Sequence, residues 1–333
     1  MKVAVLGSGS WGTTLALTLQ DNGHSVCCWT IEDSTIQNVN EKRENSRYLP
    51  GVPIPEAIRF TKDLPEAVHD AGMIVCAVPS QVTRKVIPEV IKVLNRDKQI
   101  WVPVSKGIEN DTYLRVSQVI QQVGSVPDEN IVALSGPSHA EEVSRHIPTV
   151  VVAASTRLES ARLVQDAFMN HYFRVYASGD IVGVELGGAL KNIIALAAGI
   201  CDGAGYGDNT KAALITRGLV EINRLGVEMG ARSDTFAGLS GMGDLIVTCM
   251  SRHSRNRYVG EQIGRGRSLD DILGEMVMVA EGVKTTLSAY EIAQAHNVEM
   301  PITEQVYLTL FKNKKPEDAL YDLMTRASKI EDW

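Results

Sequence analysis

The chain has 333 residues, of which 44% are hydrophobic and 22% charged, with a net charge of −7 at pH 7. That length is about twice a typical single domain, so two domains with substantial cores are expected. The acidic balance argues against a nucleic-acid binder, which needs a basic surface, although cations gathered in one cleft can still hold an anionic substrate.

The first strand, Val3–Leu6, runs straight into Gly7-Ser8-Gly9-Ser10-Trp11-Gly12 and then a helix-compatible stretch from Thr13. Strand, G-x-G-x-x-G and helix in that order form the dinucleotide fingerprint, whereas an ordinary glycine-rich turn needs no such flanks. Gly7 permits the tight turn, Gly9 lets the backbone approach a diphosphate, and Gly12 lets the helix pack on the strand. The helix N-terminus adds unpaired amides and a favourable dipole. The apolar run ahead of the glycines is too short for a secretory signal. A second strand is expected at Val26–Trp29, and Glu32 follows it, twenty residues beyond Gly12. A carboxylate there can accept hydrogen bonds from the ribose hydroxyls and repels a 2′-phosphate, which favours NAD over NADP. The alternative is a solvated loop carboxylate, and Lys42, Arg43 and Arg47 offer a phosphate site for NADP. Pro50-Gly51 and Pro53 mark a longer loop.

Further strands are expected at Met73–Val78, Ile100–Val104, Ile131–Leu134, Val150–Ala154 and Phe173–Tyr176, separated by helical spacings such as Val86/Ile87/Val90/Ile91/Leu94. This α/β alternation predicts a doubly wound, mostly parallel Rossmann-type sheet with helices on both faces. Val78-Pro79-Ser80, Ser105-Lys106-Gly107 and Ser135-Gly136-Pro137-Ser138 end three of the strands, where open sheets bind ligands, and bring Lys106 to that crevice. His139, Glu142 and His146 are spaced to share a helix face. No other His or Cys falls near them and no H-E-x-x-H occurs, so no metal is expected. The five cysteines, Cys27, Cys28, Cys76, Cys201 and Cys249, form no CxxC pair, which fits a reduced, cytosolic setting.

After about Ser178 the strand patterns stop, dividing the chain into a dinucleotide-binding domain over 1–179 and an all-α domain over 180–333. The most apolar helix, Ile181 to Ile200, carries Glu185 and Lys191, so it reads as a buried helix and no membrane association is expected. Lys191 and Asn192 sit mid-helix among small and apolar residues. A buried lysine, with a second cation beside it, loses its proton readily and can serve as a base; the alternative is a lysine snorkelling to water. Gly241-Met242-Gly243 follows no strand, which argues against a second phosphate loop. Ser254-Arg255-Asn256-Arg257 offers a planar fork suited to phosphate, or else a solvated helix start. Later helix starts are expected at Ser268 with Asp271, at Pro301 and at Pro316.

GSGSWGTTLA, Val78-Pro79-Ser80, SKGIE, SGPSHAEEV, GVELGGALKNIIALAAGI, LITRGL, GLSGMGDLIVTC, SRNR and EMPITEQVY together resemble the bacterial type of NAD(P)-dependent sn-glycerol-3-phosphate dehydrogenase, from Lys2 to about Arg326. LGGALKN with SRNR is specific at the family level, unlike the glycine fingerprint. The resemblance implies an architecture like that of 6-phosphogluconate dehydrogenase. It also implies dihydroxyacetone phosphate and sn-glycerol 3-phosphate as the substrate pair, service to phospholipid synthesis, a cytoplasmic setting and a homodimer. Lys191 matches the family's catalytic proton acceptor, with Asn192 orienting the substrate, and Lys106 matches the lysine that contacts both substrate and nicotinamide. Gly136 and Ser138 match substrate contacts; Asp244, Ser254, Arg255 and Asn256, with Thr248 nearby, fall on glycerol-phosphate positions. Ser10 and Trp11 match cofactor contacts beside the diphosphate, Ala140 matches another, and Arg255, Val279 and Glu281 match the part that closes over the cofactor. The implied mechanism has Arg255 and Asn256 holding the phosphate and Asp244 accepting from the terminal hydroxyl. Lys106 stabilises the C2 oxygen and lowers the pKa of Lys191. Where many members carry a His or Arg pair that serves NADP, this chain has Ile31-Glu32, again in the direction of NAD. Dehydrogenases of β-hydroxyacids and 6-phosphogluconate share the architecture. A non-catalytic NAD(H) sensor would need neither the Lys-Asn pair nor the phosphate fork.

Overall fold

The structure, a computed structural model, describes residues 1–94 and 99–331. Among these the strands in chain order are β1 (Lys2–Leu6), β2 (Ser25–Trp29), β3 (Glu44–Asn45), β4 (Leu49–Pro53), β5 (Arg59–Thr61), β6 (Met73–Cys76), β7 (Ile100–Pro103), β8 (Ala133–Ser135), β9 (Thr149–Ala154) and β10 (Phe173–Ser178). The first of them shows why the sheet is covered on both sides. Val3, Ala4, Val5 and Leu6 are all fully buried. Strand alternation sends Val3 and Val5 into a core with Leu15 and Leu19, and Ala4 and Leu6 into a second core with Ile74 and Trp101.

The main sheet has the order β5-β2-β1-β6-β7 and is parallel throughout. A parallel bridge from Trp101 to Ile131 carries it on to β8, which pairs antiparallel with β9, and β9 pairs parallel with β10. All the strands expected from the sequence form. The loop after the second strand holds more than expected: Arg59–Thr61 adds an edge strand, and Glu44–Asn45 pairs antiparallel with Leu49–Pro53. Prolines are tolerated on such edges because their missing N–H costs no interior ladder bond. The winding reverses between β1 and β6, which opens a crevice beyond their C-terminal ends.

Beyond β10, no strand occurs among the described residues. The helix Ile181–Gly203 starts where the Asp180 carboxylate accepts from the Gly183 N–H at 2.9 Å, an N-cap bond. It is the one helix among the described residues long and apolar enough to cross a bilayer, and 89% of that window is buried inside the fold. Helices Asp208–Glu228, Asp244–Met250, Arg255–Gly264 and Glu281–Ala295 pack around it. The closest crossing is with Arg255–Gly264: Gly199 and Gly203 face Gly260 and Gly264, where any Cβ would run into the opposing backbone. Such small residues let two helix axes approach closely, and this approach sets Asn256 against Asn192. The later helices begin as expected, at Ser268, which caps through the Asp271 N–H, and at Pro301 and Pro316. All five cysteines are buried and unpaired.

Candidate active site

A cleft of about 560 Å³ runs between the sheet and the helical half, from the glycine turn to Lys191. At the sheet end each glycine has its own reason. Gly7 has φ +105°, and a Cβ there would lie 2.9 Å from the Ala77 carbonyl, so the turn and the crossing of β1 on β6 both need it. A Cβ on Gly12 would strike the Gly7 carbonyl, whereas one on Gly9 meets nothing within 4 Å. Gly9 therefore faces open cleft, as a backbone must if a dinucleotide diphosphate is to lie against it. Ser10 and Trp11, in the first turn of helix Ser10–Asp21, line the cleft beside it.

Glu32 lines the same cleft beyond β2. Its carboxylate accepts from the Tyr48 hydroxyl at 2.5 Å and from Thr35 Oγ1 at 3.1 Å, with the Arg47 guanidinium 3.7 Å away. It is a held group and not a solvated loop residue. Of the three cations that could receive a 2′-phosphate, Arg43 turns onto the carbonyls of Ile54 and Ile58, at 3.0 and 3.2 Å, Lys42 is exposed, and only Arg47 reaches Glu32. Tyr48 escapes a sequence reading because it lies in a Pro/Gly-punctuated segment that looks like loop.

At the other end Lys191 is 5% exposed. Its Nζ donates to Thr248 Oγ1 at 2.5 Å and to Asp244 Oδ1. The second Asp244 oxygen accepts from Lys106 Nζ at 2.8 Å. Lys106 also donates to the Gly136 carbonyl at 2.8 Å and to Ser138 Oγ at 3.4 Å. A wide turn of π-helix, Leu239–Gly243, delivers Asp244 to this position; such turns recur at functional sites. Burial pushes the Lys191 ammonium down, the Asp244 carboxylate pulls it back, and neighbouring Lys106 lowers it again, to about 7. Burial alone would raise Asp244, but the two lysines override it and hold the carboxyl below its ordinary value.

Asn192 Nδ2 donates to the Lys106 carbonyl at 3.0 Å, and its Oδ1 accepts from Asn256 Nδ2 at 2.9 Å. Asn256 Oδ1 in turn accepts from the Gly282 N–H at 2.9 Å. Ser254 caps its helix through the Arg257 N–H. The Arg255 guanidinium lies in the cleft and donates to the Val279 carbonyl at 2.8 Å. Glu281 accepts from the N–H and hydroxyl of Ser80, at 3.0 and 2.6 Å, while burial pushes its carboxyl up against those bonds. Ala140, Val279, Thr248 and Ser138 line the same cleft. Of the expected site residues Gly136 alone does not line it, reaching the cluster through its carbonyl on Lys106.

Two residues with expected substrate roles also have protein partners. Asp244, expected to accept from a substrate hydroxyl, has both oxygens bonded to lysines. Asn256, expected to present its amide to phosphate, joins the Asn192–Gly282 chain through one of its two amide hydrogens, and Arg255 lies beside it in the cleft. The helix behind His139 is only Ala140–Val143, so His146 does not share its face; His146 pairs instead with Asp21 at 3.3 Å. His139 lines the cleft, 5.9 Å from the His253 ring, and burial with the two lysines lowers its pKa to about 4. Spacing alone gave no sign of that role as a neutral cleft wall.

The N-terminal part, residues 2–161, matches the family model for the NAD-dependent glycerol-3-phosphate dehydrogenase N-terminus, and residues 180–321 match the model for its C-terminus. The chain belongs to the NAD-dependent glycerol-3-phosphate dehydrogenase family. Among its relatives, the protein named glycerol-3-phosphate dehydrogenase, NAD(P)+, of Bacillus licheniformis is 54% identical over 332 residues, covering 99% of this chain and 96% of that one. The protein of the same name from Citrifermentans bemidjiense is 54% identical over 333 residues, covering 99% and 98%. The crystal structure of glycerol-3-phosphate dehydrogenase from Coxiella burnetii superposes with a TM-score of 0.92 at 36% identity, covering 98% of this chain and 99% of that one. The chain is thus an NAD(P)-dependent oxidoreductase of the class that acts on CH–OH groups. The open face at Gly9 and the held carboxylate of Glu32 are where such a dinucleotide fits.

Proposed function

We propose that this chain interconverts dihydroxyacetone phosphate and sn-glycerol 3-phosphate, with residues 1–179 carrying NAD(H) and residues 180–333 the three-carbon phosphate. The observation that carries the reading is the Lys191–Asp244–Lys106 cluster, shared between the two halves of the chain and opening on the cleft that starts at the glycine turn. The bound nicotinamide supplies or accepts the hydride at C2. Lys191, poised near pH 7, gives a proton to the C2 oxygen in reduction and takes it back in oxidation. Lys106 stabilises negative charge developing on that oxygen. Arg255 receives the substrate phosphate with its planar fork, and Asn192 fixes the Lys106 backbone while facing the cleft. The reading places the protein in the cytoplasm as a homodimer, supplying glycerol 3-phosphate for phospholipid synthesis; all five thiols, buried and unpaired, agree with a reducing compartment.

The deciding assay follows NADH oxidation by the purified protein. Dihydroxyacetone phosphate is expected to turn over at rates of at least about one per second. Turnover of a β-hydroxyacid or of 6-phosphogluconate with NAD, and none of the triose phosphate, would overturn the reading.

The charge at the adenosine end makes a further expectation concrete. Glu32 repels a 2′-phosphate, so kcat/KM is expected to be higher with NADH than with NADPH. In Glu32→Arg that ratio is expected to fall at least about tenfold, the equivalent of removing roughly 1.4 kcal/mol of like-charge repulsion. Equal use of both cofactors by the unmodified protein would remove the basis for this.

A further inference from the structure

The segment between β2 and β5 does more than fill a loop. β3 pairs with β4 at Asn45↔Leu49 and Glu44↔Pro53. The hairpin is braced from both sides: the Gly51 N–H donates to Glu44 at 3.0 Å, and Arg43 grips the carbonyls of Ile54 and Ile58. Its tip carries Tyr48 to Glu32. Three residues earlier, Asn45 is 1% exposed and reaches back to the glycine turn. Its Nδ2 donates to the Ser8 carbonyl at 2.7 Å and to Thr13 Oγ1 at 2.9 Å. Thr13 Oγ1 itself donates to the same Ser8 carbonyl at 3.2 Å. Asn45 Oδ1 is buried with no hydrogen-bond partner, so the side chain's polar engagement lies wholly in its amide donors.

We propose that Asn45 is a positioning residue for the dinucleotide, acting through the Ser8–Gly9 peptide. The described peptide bonds are all trans, and in a trans peptide the C=O and the following N–H point in opposite directions. Two donors hold the Ser8 carbonyl toward the protein interior. The Gly9 N–H is therefore turned the other way, toward the open face where a Cβ on Gly9 would meet nothing within 4 Å. A glycine-flanked peptide left free could rotate, and binding would then have to bear the cost of ordering it; fixing it in advance removes that cost. The hairpin thus serves both ends of the nucleotide, through Asn45 at the diphosphate and Tyr48 at the ribose carboxylate.

This proposal rests on the cofactor reading above, and the test separates the two. Dissociation constants for NADH, ADP and adenosine are measured by calorimetry or competition, first with the unmodified protein. Absence of NADH binding there would overturn the cofactor reading, and this proposal with it. In Asn45→Asp, which keeps size and loses the donors, NADH and ADP are expected to weaken by the same factor, about 10- to 100-fold. Adenosine, which has no diphosphate, is expected to change by less than about twofold. In steady state KM for NADH rises, while KM for dihydroxyacetone phosphate holds and kcat at saturating NADH falls far less than the affinity. Thr13→Val removes the second donor to Ser8 and is expected to give a smaller loss with the same diphosphate dependence, which decides the matter if Asn45→Asp does not fold. Unchanged NADH affinity in a folded variant, or an equal loss for adenosine, would overturn the role of Asn45.

Discussion

Lys191→Ala is expected to lower kcat by about a thousandfold to ten-thousandfold, the range general acid–base catalysis supplies, with NADH affinity left within about twofold. The side chain is buried and its Nζ donates to Asp244 and Thr248, and neither partner is an amine that could take over the proton transfer. The residues proposed to hold the cofactor's diphosphate and ribose, Gly9, Ser10, Trp11 and Glu32, make no hydrogen bond to Lys191. The pH profile of the unmodified protein gives a second reading of the same group. Lys191 titrates near 7, neutral above that pH and an ammonium below it. Oxidation needs the neutral amine, so its rate should rise with pH through about 7; reduction needs the ammonium, so its rate should fall through the same range. Lys191→Arg keeps a permanent charge, since guanidinium does not deprotonate in this range, and should be as inactive in oxidation as the alanine variant. Retention of a tenth or more of the activity by Lys191→Ala, or profiles flat across pH 7, would show that another group moves the proton.

What the sequence could and could not disclose follows from how far each signal reaches along the chain. The sheet was legible because each buried parallel strand is a short apolar run, and the glycine turn because Gly7, Gly9 and Gly12 answer to backbone geometry within a few residues. Lys191 and Asn192 stood out because a lysine and an asparagine interrupt an otherwise apolar helix. The hairpin at Glu44–Pro53 was not legible. A strand of two residues has no period to detect, and Pro50, Gly51 and Pro53 read as loop chemistry. Asn45 and Tyr48 were hidden with it. The spacing of His139, Glu142 and His146 misled for the converse reason: periodicity assumes the helix continues, but it ends at Val143 and His146 takes φ +58°. Asp244 was identified as a site residue without its partners. The two lysines that share it lie 53 and 138 positions away in sequence, a distance no local pattern spans. The Asn256–Asn192 bond is equally beyond a local pattern, because it exists only once Gly199 and Gly203 let the two helices close together.

Asp244→Asn is expected to lower kcat by about a hundredfold to a thousandfold and to move the pH profile to lower pH in both directions. The carboxylate is 1% exposed and stands between two ammonium groups. Asp244 is the principal group holding the Lys191 proton on, against burial and against Lys106. A neutral amide withdraws that support, so the folded-state pKa of Lys191 must drop further and the ammonium form needed for reduction must be lost at a lower pH. The amide also supplies one acceptor oxygen where two lysines need one each, so at least one ammonium loses its alignment on the C2 oxygen. Removing one partner of a buried ion pair commonly costs about 3–5 kcal/mol of stability. Here part of that cost is relieved, because Lys191 can shed its charge, and the fall in Tm should therefore shrink as pH rises above 7. Asp244→Glu, which keeps the charge but displaces it, should leave the profile midpoint near 7 while lowering kcat, separating electrostatics from geometry. A midpoint in Asp244→Asn that stays at or above the unmodified value would show that Asp244 does not set the proton affinity of Lys191.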